Sequence, residues 1–381
     1  MSLVLNEDQL MLQESARDFC REKATVAVLR KLRDEKDPRG FSDELWQAMV
    51  GLGWAGMAIP EAYGGFEFGY SGLGIVLEET GRTLVPTPLV STVLLCATAI
   101  NLAGSDAQKG ELLPKVAAGE AVLAFALEEG ALHRPSNIAL GAEKTADGYT
   151  LNGHKVFVLD AHVAEHFVVV ARSSDPTDSE DGISLFVVDA ATPGISVQQL
   201  NMVDNRNAGN VRFDNVKVPA DALMGAEGQG RAALERTLDI GRIGLAAEML
   251  GGVQEVFERI VDYLQQRTQF GVQIGAFQAL QHRAAIMYSE IELCRSLVRK
   301  ALLELDRGDD AEDIPALASM CKAKLSEVYE LVSNEGIQMH GGIGMTDEFD
   351  IGFFIKRARV AQQTLGDASY HRDRYASLRG F

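Results

Sequence analysis

The chain has 381 residues, 46% of them hydrophobic and 24% charged, which leaves room for two or three domains with a substantial core. Its formal net charge of −18 excludes a general affinity for nucleic acid or an anionic membrane unless basic residues cluster, and Arg357, Arg359, Arg372 and Arg374 are sprinkled among acids instead. No apolar run reaches the roughly 20 residues needed to cross a bilayer, and the acidic opening MSLVLNEDQLMLQESARDFC lacks the basic flank of a signal peptide, so a cytoplasmic location is expected.

Residues 1–120 read as a helical domain. Leu10, Leu12 and Phe19, then Leu45, Met49 and Leu52, recur at helical spacing, interrupted at Pro38-Arg39-Gly40 and at Pro60-Glu61-Ala62-Tyr63-Gly64-Gly65. Inside it, Gly51-Leu52-Gly53-Trp54-Ala55-Gly56 spells G-x-G-x-x-G. That pattern marks a dinucleotide site only after a strand and before a helix. Here DELWQAMV precedes it with a helical pattern, so it reads as a helix stop and a loop, against a Rossmann nicotinamide enzyme.

Residues 121–226 read as a β domain. AVLAFAL, YTLNGHKVFVLDA, HFVVVAR, ISLFVVDA, ISVQQL and VRFDNVKV are short, rich in β-branched and aromatic residues, and separated by Gly, Asp, Asn and Pro. His162 and His166 are four apart, but their strand-like flanks do not present them on one helical face, and no metal is expected. Cys20, Cys96, Cys294 and Cys321 are scattered on mostly apolar stretches and read as reduced core residues. From 227 to 381 the period is helical again. Leu245, Met249, Val253, Val256, Ile260 and Leu264 step by three or four, as do Leu317, Cys321, Leu325, Val328 and Val332, the mark of a helical bundle.

Two stretches in this bundle carry chemistry. Arg267-Thr268-Gln269-Phe270-Gly271 ends one helix, and Ile274-Gly275-Ala276-Phe277-Gln278-Ala279-Leu280 begins the next. Planar donors beside an aromatic ring and a bare glycine suit a diphosphate and a flat heterocycle, although Arg267 alone could serve only the helix dipole. Further on, Gln338-Met339-His340-Gly341-Gly342-Ile343-Gly344 places three glycines in four positions, where something must need the backbone bare.

RTQFGVQIGAFQALQHR and IQMHGGIG resemble the flavin-binding motifs of the acyl-CoA dehydrogenase family. AIPEAYGG, ADGYTLNGHKVFV and VRFDNVKVPADALMG resemble that family's further landmarks in the same order, so the likeness covers essentially the whole chain. It implies an α+β multidomain fold with an N-terminal helical domain, a barrel- or sandwich-like central β domain and a C-terminal four-helix bundle. It also implies FAD held between two subunits. Gly341, Gly342 and Gln338 of one would meet Arg267, Gln269 and Phe270 of the other, followed by Ile274, Phe277, Gln278 and Leu280. The family removes two hydrogens from an acyl-CoA thioester and passes electrons to an electron-transferring flavoprotein, usually as a tetramer built from two dimers.

The chain departs from the family where the catalytic base is expected. Counting forward from Gln338, the usual glutamate position falls on Leu365, and a second family address, on the first bundle helix, falls on Gly241. The alternatives are a displaced acid, Asp367 or Glu248; a base supplied by a partner chain, since LGDASYHRDR resembles the smaller subunits of two-chain steroid-type acyl-CoA dehydrogenases; or a homo-oligomer with altered chemistry or with its base elsewhere in the chain. A related flavin oxidase using oxygen directly is a further functional alternative. The partner-chain alternative makes this a base-lacking structural subunit of a heterotetramer rather than one chain of a homotetramer. The family's thioester carbonyl is held by the backbone N–H of the catalytic position, which Leu365 retains. Asp239 and Arg242 match positions lining the CoA and acyl path, with a helix-surface ion pair as the plain alternative for Arg242. In the β domain, Leu127 and His133 replace the hydroxyls expected near the flavin ring, Phe157 stands where a ring-covering Trp is common, and Leu159 where a Thr is. His133 beside Arg134 reads either as a solvated loop pair or as a new ligand contact.

Overall fold

The computed structural model describes residues 3–174, 181–308, 311 and 313–381. In chain order the first α-helices are α1 (Glu7–Glu22), α2 (Val26–Glu35), α3 (Asp43–Gly51), α4 (Gly69–Arg82), α5 (Thr98–Ala103) and α6 (Asp106–Ala117). Strands β1 (Leu123–Ala126), β2 (Gly141–Lys144), β3 (Gly148–Leu159), β4 (His166–Arg172), β5 (Ile183–Asp189), β6 (Ile195–Gln199), β7 (Ala208–Pro219) and β8 (Leu223–Met224) follow. Then come α7 (Arg231–Gln266), the short strands β9 (Thr268–Gln269) and β10 (Val272–Gln273), α8 (Gln278–Leu305), α9 (Ile314–His340), α10 (Ile351–Gln363) and α11 (Ala368–Leu378). The order of helices, sheet and helices is the α+β arrangement the sequence predicts.

The described residues within Met1–Lys31, Tyr70–Val85 and Arg242–Phe381 gather into one unit, and those within Leu32–Gly69 and Pro86–Gly241 into another. The first 120 residues are shared between them, α1 and α4 in the former and α3, α5 and α6 in the latter.

In the helical unit, side-chain caps, one local and one distant in sequence, fix where helices start. Asn6 caps α1, its side chain accepting from the Gln9 N–H at 2.8 Å while Gln9 answers the Asn6 N–H at 3.1 Å. The Asp306 carboxylate takes the Tyr70 and Ser71 N–H groups at the start of α4 at 2.6 and 3.0 Å. Two glycines set the closest helix crossing: a Cβ at Gly81 of α4 would lie 2.0 Å from the Glu248 carbonyl, and one at Gly251 of α7 1.8 Å from that of Glu78. Backbone meets backbone there, and any side chain would force the helices apart.

In the β unit one sheet runs β6-β7-β3-β2-β4-β5-β8, with β1 beside β4. β4 pairs in parallel with β1 and β2 and antiparallel with β5. That explains its unbroken apolar run HFVVVAR, buried from Phe167 to Arg172, where half-exposed strands alternate. The core gathers Leu151, Phe167, Phe186 and Phe213, with Phe167 and Phe213 edge to face at 6.4 Å. The Gly51–Gly56 stretch closes α3 and enters a tight turn with Gly53 at φ +83. A Cβ on Gly53 or Gly56 would press into the Phe66 ring at 3.0 or 3.2 Å, so these glycines serve an aromatic contact rather than a nucleotide.

Candidate active site

α7 ends at Gln266 and the chain turns at once into the β9–β10 hairpin, with Gln269 opposite Val272. Its two turn residues, Phe270 at φ +56 and Gly271 at φ +82, are both left-handed, as a two-residue hairpin turn of this hand requires. Glycine meets that demand freely, whereas a bulky Phe there is an outlier. The Phe270 ring is nevertheless 91% exposed, touching Phe277 edge to face at 6.1 Å. Arg267, Gln269 and Gln278 are exposed beside it, while Ile274 and Leu280 are half-buried.

α9 ends in the glycine run. Gly341 takes φ +64 as the residue that closes the helix, and a Cβ at Gly341 or Gly342 would meet nothing of this chain within 4 Å. Gly344 differs, since a Cβ there would lie 2.9 Å from the Ile337 carbonyl. The chain's own packing therefore accounts for Gly344 but not for Gly342. Gln338 is exposed one turn earlier. His340 is buried, donates from Nδ1 to the Gly336 carbonyl at 2.7 Å, and stacks on Tyr263 of α7 at 4.5 Å. That stack ties the last turn of α7 to the last turn of α9, so both motifs stand at one end of the bundle. Each motif suits part of the adenosine diphosphate portion of FAD, the glycine turn by its bare backbone and carboxamide, the hairpin by its guanidinium and open aromatic face, as a site shared between two subunits requires.

The turn at Leu365, where the resemblance expects the base, is closely held. Leu365 is 93% buried by its 7% exposure, and sits at φ +59, where a leucine is strained. Its carbonyl accepts from His371 Nε2 at 2.9 Å and Arg242 Nε at 3.4 Å. Its N–H finds no acceptor among the described residues. Arg242 is fully buried, with its guanidinium 5.7 Å from the Tyr370 ring centre, so it is no helix-surface ion pair. Asp239, three positions earlier on the same face of α7, is buried too.

Neither named acid is idle. Glu248 is buried and held by Arg357 of α10 through bonds of 3.0 and 3.1 Å to its two oxygens. Asp367 caps α11, its Oδ1 accepting from the Tyr370 N–H at 2.8 Å. Sequence reasoning missed Lys322 altogether. Fully buried on α9, it donates to the carbonyls of Ala361 at 2.8 Å, Gln362 at 3.0 Å and Gly366 at 2.9 Å. Burial, then repulsion from Arg242, pulls its ammonium down to about 7, with Asp367 opposing and Arg357 adding to the pull. The signal was a lysine directly after Cys321, beside the apolar stripe of Leu317, Cys321, Leu325 and Val328.

In the β unit, β3 breaks register with β7 between Lys155 and Val158. The bulge puts Phe157 at φ +51 and leaves it 50% exposed, with its N–H on Asn210 Oδ1 at 3.3 Å. Two residues earlier, Lys155 is fully buried, bonded to the Leu127 carbonyl at 3.0 Å and to Glu129 at 2.8 Å, its ammonium pushed below its ordinary value by burial against the pull of Glu129. His133 is not a solvated loop residue: its side chain is 4% exposed and its Nδ1 lies 2.5 Å from Glu128. Among the described residues no group of three or more His, Cys, Asp or Glu is placed to hold a metal ion.

Comparison with known proteins adds to this geometry. Family models described as the acyl-CoA dehydrogenase N-terminal, middle and C-terminal domains match residues 6–120, 125–216 and 228–377. A short-chain specific acyl-CoA dehydrogenase of Megasphaera elsdenii is 32% identical over 373 residues, 95% of each chain. A structure titled as the electron transferring flavoprotein of Acidaminococcus fermentans contains a chain 30% identical, TM-score 0.90, covering all of both chains. A steroid ACAD variant is 33% identical, TM-score 0.87, covering 98% of each.

Proposed function

The chain belongs to the acyl-CoA dehydrogenase family, and from that premise we propose the reading its site supports best: FAD-dependent α,β-dehydrogenation of an acyl-CoA thioester, with electrons passed to an electron-transferring flavoprotein. It is an FAD-dependent oxidoreductase acting on CH–CH groups. The observation that carries this reading for the chain itself is the glycine turn after α9. At Gly342 the chain's own atoms leave open space that a Cβ would enter, at the same end of the bundle as exposed Arg267 and Phe270.

When bound, FAD supplies the acceptor for the β hydride. The chain's own residues bind, orient and polarise. Gln338 and the glycine turn of one subunit would meet Arg267, Gln269 and Phe270 of the other around the adenosine diphosphate part, Ile274, Phe277, Gln278 and Leu280 would follow along the adenine and ribityl path, and Phe157 would stand by the ring. The free N–H of Leu365 would bond the thioester oxygen, drawing charge from the α carbon so that its proton becomes removable. Asp239 and Arg242 stand on the acyl and CoA path, and Arg242 anchors the Leu365 carbonyl.

A second reading has its own observation. Leucine fills the base position, Glu248 is spent on Arg357, and Asp367 is spent on a helix cap. Those facts favour a base-lacking subunit whose carboxylate comes from a related partner chain, in a tetramer built as a pair of dimers. Four free, buried cysteines support work in the reducing cytoplasm.

The test is to incubate catalytic amounts of the chain with an acyl-CoA series and an electron-transferring flavoprotein. Reduction of the latter supports the reading. Stoichiometric hydrogen peroxide with no reduction of the acceptor would replace it with an oxidase.

A further inference from the structure

We propose that Lys322 is a positioning residue for the thioester carbonyl, acting through the Leu365 turn; this deepens the reading above and rests on it. The turn between α10 and α11 is unusual in what it asks of the backbone. α10 stops at Gln363, leaving carbonyls at its C-terminal end without helical partners. Leu365 and Gly366 follow at φ +59 and +103, a region in which the Cβ of a leucine crowds the following carbonyl. Such a turn persists only if its surroundings over-determine it.

Lys322 does so from a different helix. While the amine is protonated, its three ammonium protons match three carbonyl oxygens, two from the last turn of α10 and one from Gly366 beyond the strained leucine. Ser326 Oγ lies 3.4 Å from the same nitrogen. His371 and Arg242 take the remaining Leu365 carbonyl. With the carbonyls on both sides held by cations or ring N–H groups, the Leu365 N–H is left as the donor without an acceptor. The dipoles of the turn are thus fixed before any substrate arrives, which is the condition for a donor to polarise a carbonyl at no reorganisation cost. Among the described residues no carboxylate hydrogen-bonds the Lys322 amino group, and Asp367 only attracts it from farther off, so its direct partners are the turn's carbonyls and Ser326.

The test reads the carbonyl itself. Flavin-loaded protein is saturated with a 2-enoyl-CoA carrying 13C at the thioester carbonyl, a product that undergoes no further dehydrogenation, and its isotope-edited infrared stretch is recorded. Wild-type protein should shift the band to lower wavenumber than in solution. Lys322→Met should lose at least half of that shift, and Lys322→Gln, which keeps two donors, should fall between them. A folded Lys322→Met protein that binds the probe with the full wild-type shift overturns the inference. Should Lys322→Met not fold, Lys322→Gln decides alone, a reduced shift supporting the proposal and an unchanged one overturning it. Wild-type protein that binds no acyl- or enoyl-CoA of any chain length is a different result, which removes the reading of the site and this inference with it.

Discussion

At the scale of single residues, the active-site question turns on which side chains are already committed. Glu248 is shielded from solvent and bound twice to Arg357, and removing one partner of such a pair strands the other charge. Glu248→Gln should therefore cost about 3–5 kcal/mol of stability by urea unfolding. Loss of turnover at unchanged stability would instead mark Glu248 as the base. Leu365→Glu puts a carboxylate where the family carries one, and flavin reduction by acyl-CoA should then rise about 100-fold or more, the usual worth of a placed general base. No gain would mean that another group already does this work. Lys322 adds a pH signature. Its ammonium loses its proton near 7 in the folded chain, against an ordinary value of 10.5. Between those values the unfolded chain binds more protons, so this site makes stability rise with pH, by at most about 1.4 kcal/mol per unit. Lys322→Met should flatten that rise when unfolding is followed from pH 6 to 10.

At the scale of elements, the bundle end is made by two helix stops and one hairpin. Arg267→Ala removes a charge-assisted contact and should weaken FAD retention about 10- to 100-fold, read as flavin per chain after gel filtration. Gly342→Val should leave the unfolding midpoint nearly unchanged, because a side chain there meets open space, yet it should deplete flavin. Equal flavin content in the variant would detach the glycine turn from the cofactor. These elements were legible in sequence because glycine runs and helix breaks are local signals. Phe270 and Phe157 were legible as residues of interest, but not their left-handed backbone, which arises from a hairpin turn and a β-bulge. Lys322 was invisible because its partners lie about 40 residues away, and the burial of His133 was not legible because its partner Glu128 precedes it in a loop with no periodicity.

At the scale of the whole molecule, the succession of helical domain, β domain and bundle followed from the change of hydrophobic period near residues 121 and 227. What periodicity could not reveal is that α1 and α4 join the bundle helices, since that grouping depends on glycine crossings such as Gly81 on Glu248 and Gly251 on Glu78. The same limit applies to the base: a pattern of residues gives the address, and only packing shows which acids are free. The most direct measurement is an anaerobic titration of the purified, flavin-loaded chain with a series of acyl-CoAs, following the flavin band near 450 nm. Dehydrogenation by this chain predicts that the band bleaches in proportion to added thioester and returns when an electron-transferring flavoprotein is supplied. A yellow protein that binds acyl-CoA and never bleaches would contradict that account.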